Sequence, residues 1–241
     1  MQNFVRVAIT AGVAAIGLGL STAAHAGTLV EKKVDFRGWW RADASEPIDL
    51  GNGLMLTVTA GVHSGGPSAN APLNVVRDAK VTQNAKGLGV KNFPIVDSKE
   101  LDGSGFPEFL RFTFSEAIDL SSVFFSKADG KDEFDVGIDG IDMHINDTFG
   151  TDRIRSFARV PTRKGPLYKV DFSGGVDLAG DGTNALVPAE GTVFDFYTTD
   201  KGDDYRIAKM KIVHEVPEPA TALGLLAVGS LAIARGRKRD S

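Results

Sequence analysis

Between Phe109 and Ser115 the chain reads Phe-Leu-Arg-Phe-Thr-Phe-Ser, and this alternation suits only an extended backbone. In a pleated strand successive side chains point to opposite faces. Leu110, Phe112 and Phe114 then share an apolar face, while Phe109, Arg111, Thr113 and Ser115 share the other. A helix would scatter both sets around its circumference. Similar β-branched or aromatic runs occur at Leu54–Ala60, Leu120–Ser126, Phe134–Ile138, Ile141–Ile145, Arg153–Val160, Tyr168–Ser173, Thr192–Thr198 and Tyr205–Val213. Turn residues separate them, and Asp139-Gly140 marks a hairpin because that pair tolerates positive φ. No convincing amphipathic helix interrupts the series. Short strands at near-regular spacing predict an all-β domain, a jelly-roll-like β-sandwich of eight to ten strands. A β-solenoid is disfavoured, because no register repeats along the chain.

The two ends read differently. Arg6 precedes an apolar stretch from Val7 to Leu20, and Ala24-His25-Ala26 fits the small-x-small rule for signal-peptide cleavage. Residues 1–26 are therefore expected to be a signal peptide, cut before Gly27. At the other end Val216-Pro217-Glu218-Pro219 leads into an apolar run, Ala220 to Ala234, with Thr221 and Ser230 its polar members. A membrane-spanning helix wants ~20 residues, so this segment is marginal. Arg235, Arg237, Lys238 and Arg239 follow at once. Positive residues stay on the cytoplasmic side, which puts the domain outside and the tail tip inside. Pro217 and Pro219 break any helix running out of the domain and leave Glu218 in extended chain. The expected division is residues 1–26, signal peptide; 27–215, ectodomain; and 216–241, sorting segment with a single transmembrane helix.

The Pro-Glu-Pro, the short apolar helix and the basic cluster, in that order, resemble a PEP-CTERM sorting signal. The resemblance implies recognition by an exosortase, a membrane transpeptidase-like enzyme, with a cut at or near Pro217–Pro219. It implies export through the Sec machinery, transient anchoring in the inner membrane of a Gram-negative bacterium, and arrival at the cell surface or extracellular matrix. Within the body, Val81-Thr-Gln-Asn84, Gly87-Leu-Gly-Val90, Glu100-Leu-Asp-Gly103, Glu108–Phe114 and Asp135–Gly140 are similar to ectodomains of that family, which look like jelly rolls related to carbohydrate-binding modules. In this segment Gly87 and Gly89 would form a tight loop, Glu100 and Asp102 would face a cation, and Phe112 and Phe114 would be core.

Charge and composition exclude several functions. Between Gly27 and Pro217 there are 22 Lys and Arg against 29 Asp and Glu, a net charge of −7. Nucleic acid is a poor partner for such a domain. Cysteine is absent, so neither disulfides nor thiolate metal sites exist. The chain has no G-x-S-x-G, H-E-x-x-H or P-loop motif. His63, His144 and His214 lack ligand spacing and are expected at the surface or satisfied in the fold.

Acidic loops are the better sign of a ligand. Asp177, Asp181 and Asn184 cluster oxygen ligands in a Gly-rich turn, although Ala179 and Pro188 fall where an EF-hand needs acceptors. Asp200, Asp203 and Asp204 form a second group, and Asp129, Asp132, Glu133 and Asp135 a third. Calcium is the cation these would take, against the alternative of solvated turns. Trp39 and Trp40 are adjacent, so on a strand one faces the core and the other can stack on a pyranose ring. The reading is a non-enzymatic, exosortase-processed surface or matrix protein associated with exopolysaccharide in a biofilm. The alternatives are a secreted carbohydrate-binding module, calcium-dependent or not, and a carbohydrate-active enzyme on a jelly-roll scaffold.

Overall fold

The computed structural model describes residues 27–38, 46–64, 75–92, 99–103, 107–129, 132–142, 147–148, 157–163, 165–177, 186–198 and 202–217. These residues form strands and turns and contain no helix. In chain order the strands are β1 (Gly27–Asp35), β2 (Ile48–Asp49), β3 (Met55–His63), β4 (Val75–Asn84), β5 (Gly87–Lys91), β6 (Leu101–Asp102), β7 (Glu108–Ser126) and β8 (Glu133–Ile138). Then follow β9 (Ile141–Asp142), β10 (Asp147–Thr148), β11 (Phe157–Val160), β12 (Leu167–Asp171), β13 (Val176–Asp177), β14 (Leu186–Val187), β15 (Glu190–Tyr197) and β16 (Asp204–Pro217). The all-β expectation is met.

The architecture turns on β7. Its first half pairs with β3 on one side and β15 on the other, from Glu108 to Phe114. Its second half pairs with β16 and β12, from Asp119 to Ser126. Because β16 also meets β5, and β5 leads through β4 to β3, the strands β3, β4, β5, β16 and β7 close into a ring. The sequence reading expected two stacked sheets in a jelly roll. The pairing instead closes one sheet through a strand long enough to border two different neighbours on each side. Closure removes the unpaired edges that an open sheet exposes.

Bulges make the turn possible. Along β7 the inward residues are Leu110, Phe112, Phe114, Ile118 and Leu120, then Val123 and Phe125. The parity changes at Ser121, which the ladder to β16 skips between Leu120 and Ser122. In β16 Ala208 is skipped, and the inward set passes from Tyr205 and Ile207 to Met210 and Ile212. One extra residue on one strand re-aims every later side chain and sharpens the local twist. Phe124 and Ala208 consequently face the outer side, where they pack with Leu167.

The interior is aromatic. Phe112 touches Phe36 and Phe196 at centroid distances of 5.6 and 5.8 Å. Phe125 lies 4.7 Å from Phe134 and 5.4 Å from Tyr205. Such offset and edge-on pairs add to burial because ring edges and faces carry opposite partial charge. Phe112 and Phe114 are core, as expected. On the outer face of β7, Arg111 grips Asp195 on β15 through two bonds of 2.7 and 2.8 Å.

The Asp139-Gly140 hairpin is present, with φ of 48° and 82°. Asp139 also accepts bonds from the backbone N–H groups of Thr192 (3.0 Å) and Val193 (2.8 Å), tying the turn to β15. Gly87 and Gly89 correct the sequence reading. They lie in β5 rather than in a loop, and a side chain on Gly87, whose φ is 136°, would run into the Ile207 carbonyl of β16. Glycine here allows the close approach that completes the ring.

Candidate functional site

The ends of the domain meet. β1 pairs antiparallel with β16 over nine residues, from Gly27 opposite Pro217 to Asp35 opposite Lys209. The expected signal-cleavage junction therefore lies across the ladder from the first proline of the Pro-Glu-Pro. β16 runs two residues past the boundary drawn at residue 215.

This ribbon is held unevenly. Its inner part is anchored: Lys32 is buried and donates from Nζ to the carbonyls of Leu50 (2.9 Å) and Gly51. Burial lowers the Lys32 pKa, with Asp49 opposing that shift. Lys211 pairs with Glu31 at 3.1 Å and Lys209 with Asp35 at 3.2 Å. The outer part, Gly27–Val30 against His214–Pro217, lies beyond the last β16–β7 pair, Val213 with Asp119. There Leu29 is 58% exposed, and among the described residues the side-chain tie to β7 is His214 Nε2 to Glu116 Oε2 at 3.0 Å.

A second feature joins two acidic groups that the sequence separates. Asp132 accepts bonds from the backbone N–H groups of Asp129 and Asp204, the latter at 3.2 Å. Asp203 accepts from the Glu133 N–H at 2.8 Å. Burial pushes the Asp132 carboxyl up to about 6, and neighbouring Asp129 and Asp203 add to the shift. Burial, then a hydrogen bond and repulsion from Glu100, push Asp204 up to about 7. Among the described residues no three His, Asp or Glu side chains are disposed to hold a metal ion. The carboxylates are engaged with backbone N–H groups and with one another. Glu100 stands 3.6 Å from both Arg206 and Lys127.

The third feature is a cleft of about 230 Å³ beside the β4–β5 turn. Arg37, Lys86 and Lys127 supply cations, and Ser126 and Thr162 supply hydroxyls. Arg37 is held by Asp35 at 2.8 Å. Ser126 Oγ and Thr162 Oγ1 donate to the carbonyls of Lys86 and Gly165. Among the described residues the Lys86 amine has no acidic partner. The sequence reading missed this cleft, because its lining comes from five separated segments.

The remaining expected positions divide simply. Val216 and Pro217 lie in β16, and Gly27 begins β1. Asp177 ends β13. His63 and His214 are both buried, the first with its ring edge-on to Tyr197 at 5.5 Å. Ala24, Ala26, Trp39, Trp40, His144, Asp181, Asn184, Asp200, Glu218, Pro219, the apolar tail and Arg235, Arg237, Lys238 and Arg239 lie outside the described residues.

Comparison with known proteins adds one match. No curated protein and no solved structure matches the chain. The family model of the PEP-CTERM protein-sorting motif matches residues 215–239, so its first three positions coincide with the last three of β16. That motif marks an exported protein that transits the membrane, is processed by an exosortase and ends at the cell surface. The chain thus carries a PEP-CTERM protein-sorting motif over residues 215–239.

Proposed function

We propose that this chain is a non-enzymatic surface or matrix protein of a Gram-negative bacterium. It is exported through the Sec machinery, released from its membrane tail by an exosortase, and associates with an acidic extracellular polysaccharide. The observation that carries the reading is the sorting motif at residues 215–239, joined directly to the closing strand of the barrel. The last strand of the folded domain thus runs into the first residues of the matched motif.

The cleft supports the choice of ligand. The domain carries net negative charge, yet this concavity is lined by Arg37, Lys86 and Lys127. A uronate or other acidic sugar offers a carboxylate to the amines and hydroxyls to Ser126 and Thr162. No carboxylate lines the cleft among its described residues. Glycoside hydrolysis needs two facing carboxyl groups, so the lining favours binding over catalysis.

Two results test this. Mass spectrometry of the protein recovered from its host should show chains ending near Pro217–Pro219, and intact chains in a strain lacking the exosortase. Intact Arg235–Ser241 on most mature molecules would defeat the reading. The double variant Lys86→Ala with Lys127→Ala should bind the host's acidic polysaccharide about tenfold or more weakly, as the loss of charge-assisted hydrogen bonds implies. Its melting temperature should barely move, because both lysines are exposed. Unchanged binding would remove the cleft from the account.

A further inference from the structure

We infer that the first strand of the mature domain gates its own C-terminal processing: residues Gly27–Val30 must peel away from His214–Pro217 before the exosortase can take up the sorting motif. The inference rests on the exosortase reading above and adds the element that controls it.

The sorting motif is matched from Glu215, but Glu215, Val216 and Pro217 are already paired, opposite Leu29, Thr28 and Gly27. A processing enzyme that grips an extended peptide does so through main-chain hydrogen bonds along its edge. β1 occupies one edge of β16, and a cleft that encloses the peptide must take that edge as well as the open one. The same backbone groups cannot serve both partners, so β1 is an intramolecular competitor for the enzyme's groove.

The structure also shows why the clamp can open without unfolding the domain. Lys32, the Lys211–Glu31 and Lys209–Asp35 pairs, and the Phe36 N–H donating to the Ala208 carbonyl hold the ribbon from Glu31 inward. Beyond Val213, among the described residues, no third strand borders β16, and it is the buried His214 side chain that reaches β7, at Glu116. A two-stranded ribbon is marginal in water without such support. Local opening draws on segments of this kind, at far less cost than global unfolding. The four outer pairs are thus separable from a barrel that stays closed.

The pairing links the two processing events as well. Gly27 lies opposite Pro217, so the chain enters and leaves the domain at one point. The ribbon forms only once the newly exported N-terminal segment has folded back against the last strand. Folding of the ectodomain and exposure of the motif are therefore coupled through β1.

The absence of cysteine makes a clean test available. Leu29 and Glu215 are directly opposed, and so are Val30 and His214. Antiparallel partners sit about 4.5–5.5 Å apart at Cα, within disulfide range. Full-length Leu29→Cys/Glu215→Cys and Val30→Cys/His214→Cys should oxidise on export and lock the ribbon. In an exosortase-bearing host, the oxidised double variants should keep their tails, with processing slowed at least tenfold by mass spectrometry of intact chains. Each single variant, and each double variant exported under reducing conditions, should be processed no more slowly than wild type, and those carrying His214→Cys, which lose the bond to Glu116, at the wild-type rate or faster. Processing of both oxidised variants at the wild-type rate would overturn the gate. So would a block confined to Leu29→Cys/Glu215→Cys and shared by Glu215→Cys alone, because that would report a motif side chain rather than a locked strand. If wild-type chains keep their tails whether or not the exosortase is present, the exosortase reading itself fails.

Discussion

Replacing Arg206 with alanine is expected to destabilise the domain by about 3–5 kcal/mol, the range for breaking a buried, hydrogen-bonded ion pair. Arg206 lies in β16, is 2% exposed, and donates to the Gly87 carbonyl at 3.2 Å and to the Lys99 carbonyl. Its guanidinium is also 3.6 Å from the buried Glu100. One planar fork thus ties β16 to β5 and to the segment before β6, beside the point where the ring closes by a single pair, Ile207 with Leu88. Alanine takes a donor from each of two carbonyls and the guanidinium from beside a buried carboxylate, leaving Thr82 Oγ1 on the Lys99 carbonyl and Lys127 at 3.6 Å from Glu100. The midpoint in urea should fall by about 2 M. Adding Glu100→Gln to an Arg206→Met chain should recover much of the loss, because the stranded charge is then gone. A change below about 1 kcal/mol in Arg206→Ala would show that the fork does not secure the closure.

The stability of the protein should peak on the acidic side of neutrality. Asp132 and Asp204 have folded pKa values of about 6 and about 7, above the usual value of 3.8. The native state therefore holds protons that the unfolded chain has lost. By linkage, stability falls as pH rises from about 4 through about 7, as the native carboxyls finally ionise against one another. The opposite limb comes from Asp35 and Asp171, both held at about 2. Burial alone would raise them, but hydrogen bonds from Arg37 and from Lys169 and Ser173 outweigh it. Their contribution is present above about 4 and disappears as pH falls toward 2. Asp204→Asn should raise stability at pH 8 by about 1–2 kcal/mol after allowance for solvent screening, and give no gain at pH 4. Denaturation curves at intervals from pH 3 to 9 would check this, and an equal gain at both ends would exclude a titration effect.

The acidic residues also show where sequence reading ran short. Asp203–Asp204 and Asp129–Asp135 read as two loops with calcium chemistry, yet the fold presses them together. Asp132 then caps the Asp204 N–H instead of facing solvent. A cluster of oxygen ligands in a sequence does not say whether backbone donors will reach it first. The cleft was illegible for a related reason, since Arg37, Lys86, Lys127 and Thr162 share no motif.

The sequence alone determined the strands whose side chains alternate without interruption, because period-two burial is a local property of an extended backbone. Phe134–Ile138, where Phe134, Val136 and Ile138 alternate with Asp135 and Gly137, is of this kind, and the Asp139-Gly140 turn that follows it is equally local. It also determined the sorting segment, whose three parts act through order and polarity rather than through packing. Tertiary structure decided the rest. Phe109–Ser115 and Leu120–Ser126 read as two strands because the intervening residues and the parity change hide a single bulged β7. β1 carries no strong periodic signal, with Lys32 buried and Leu29 exposed, and it exists because β16 offers it a partner. Closure of the ring and the meeting of Gly27 with Pro217 are pairings between distant segments, and such pairings depend on which backbone edges remain open once the core has packed.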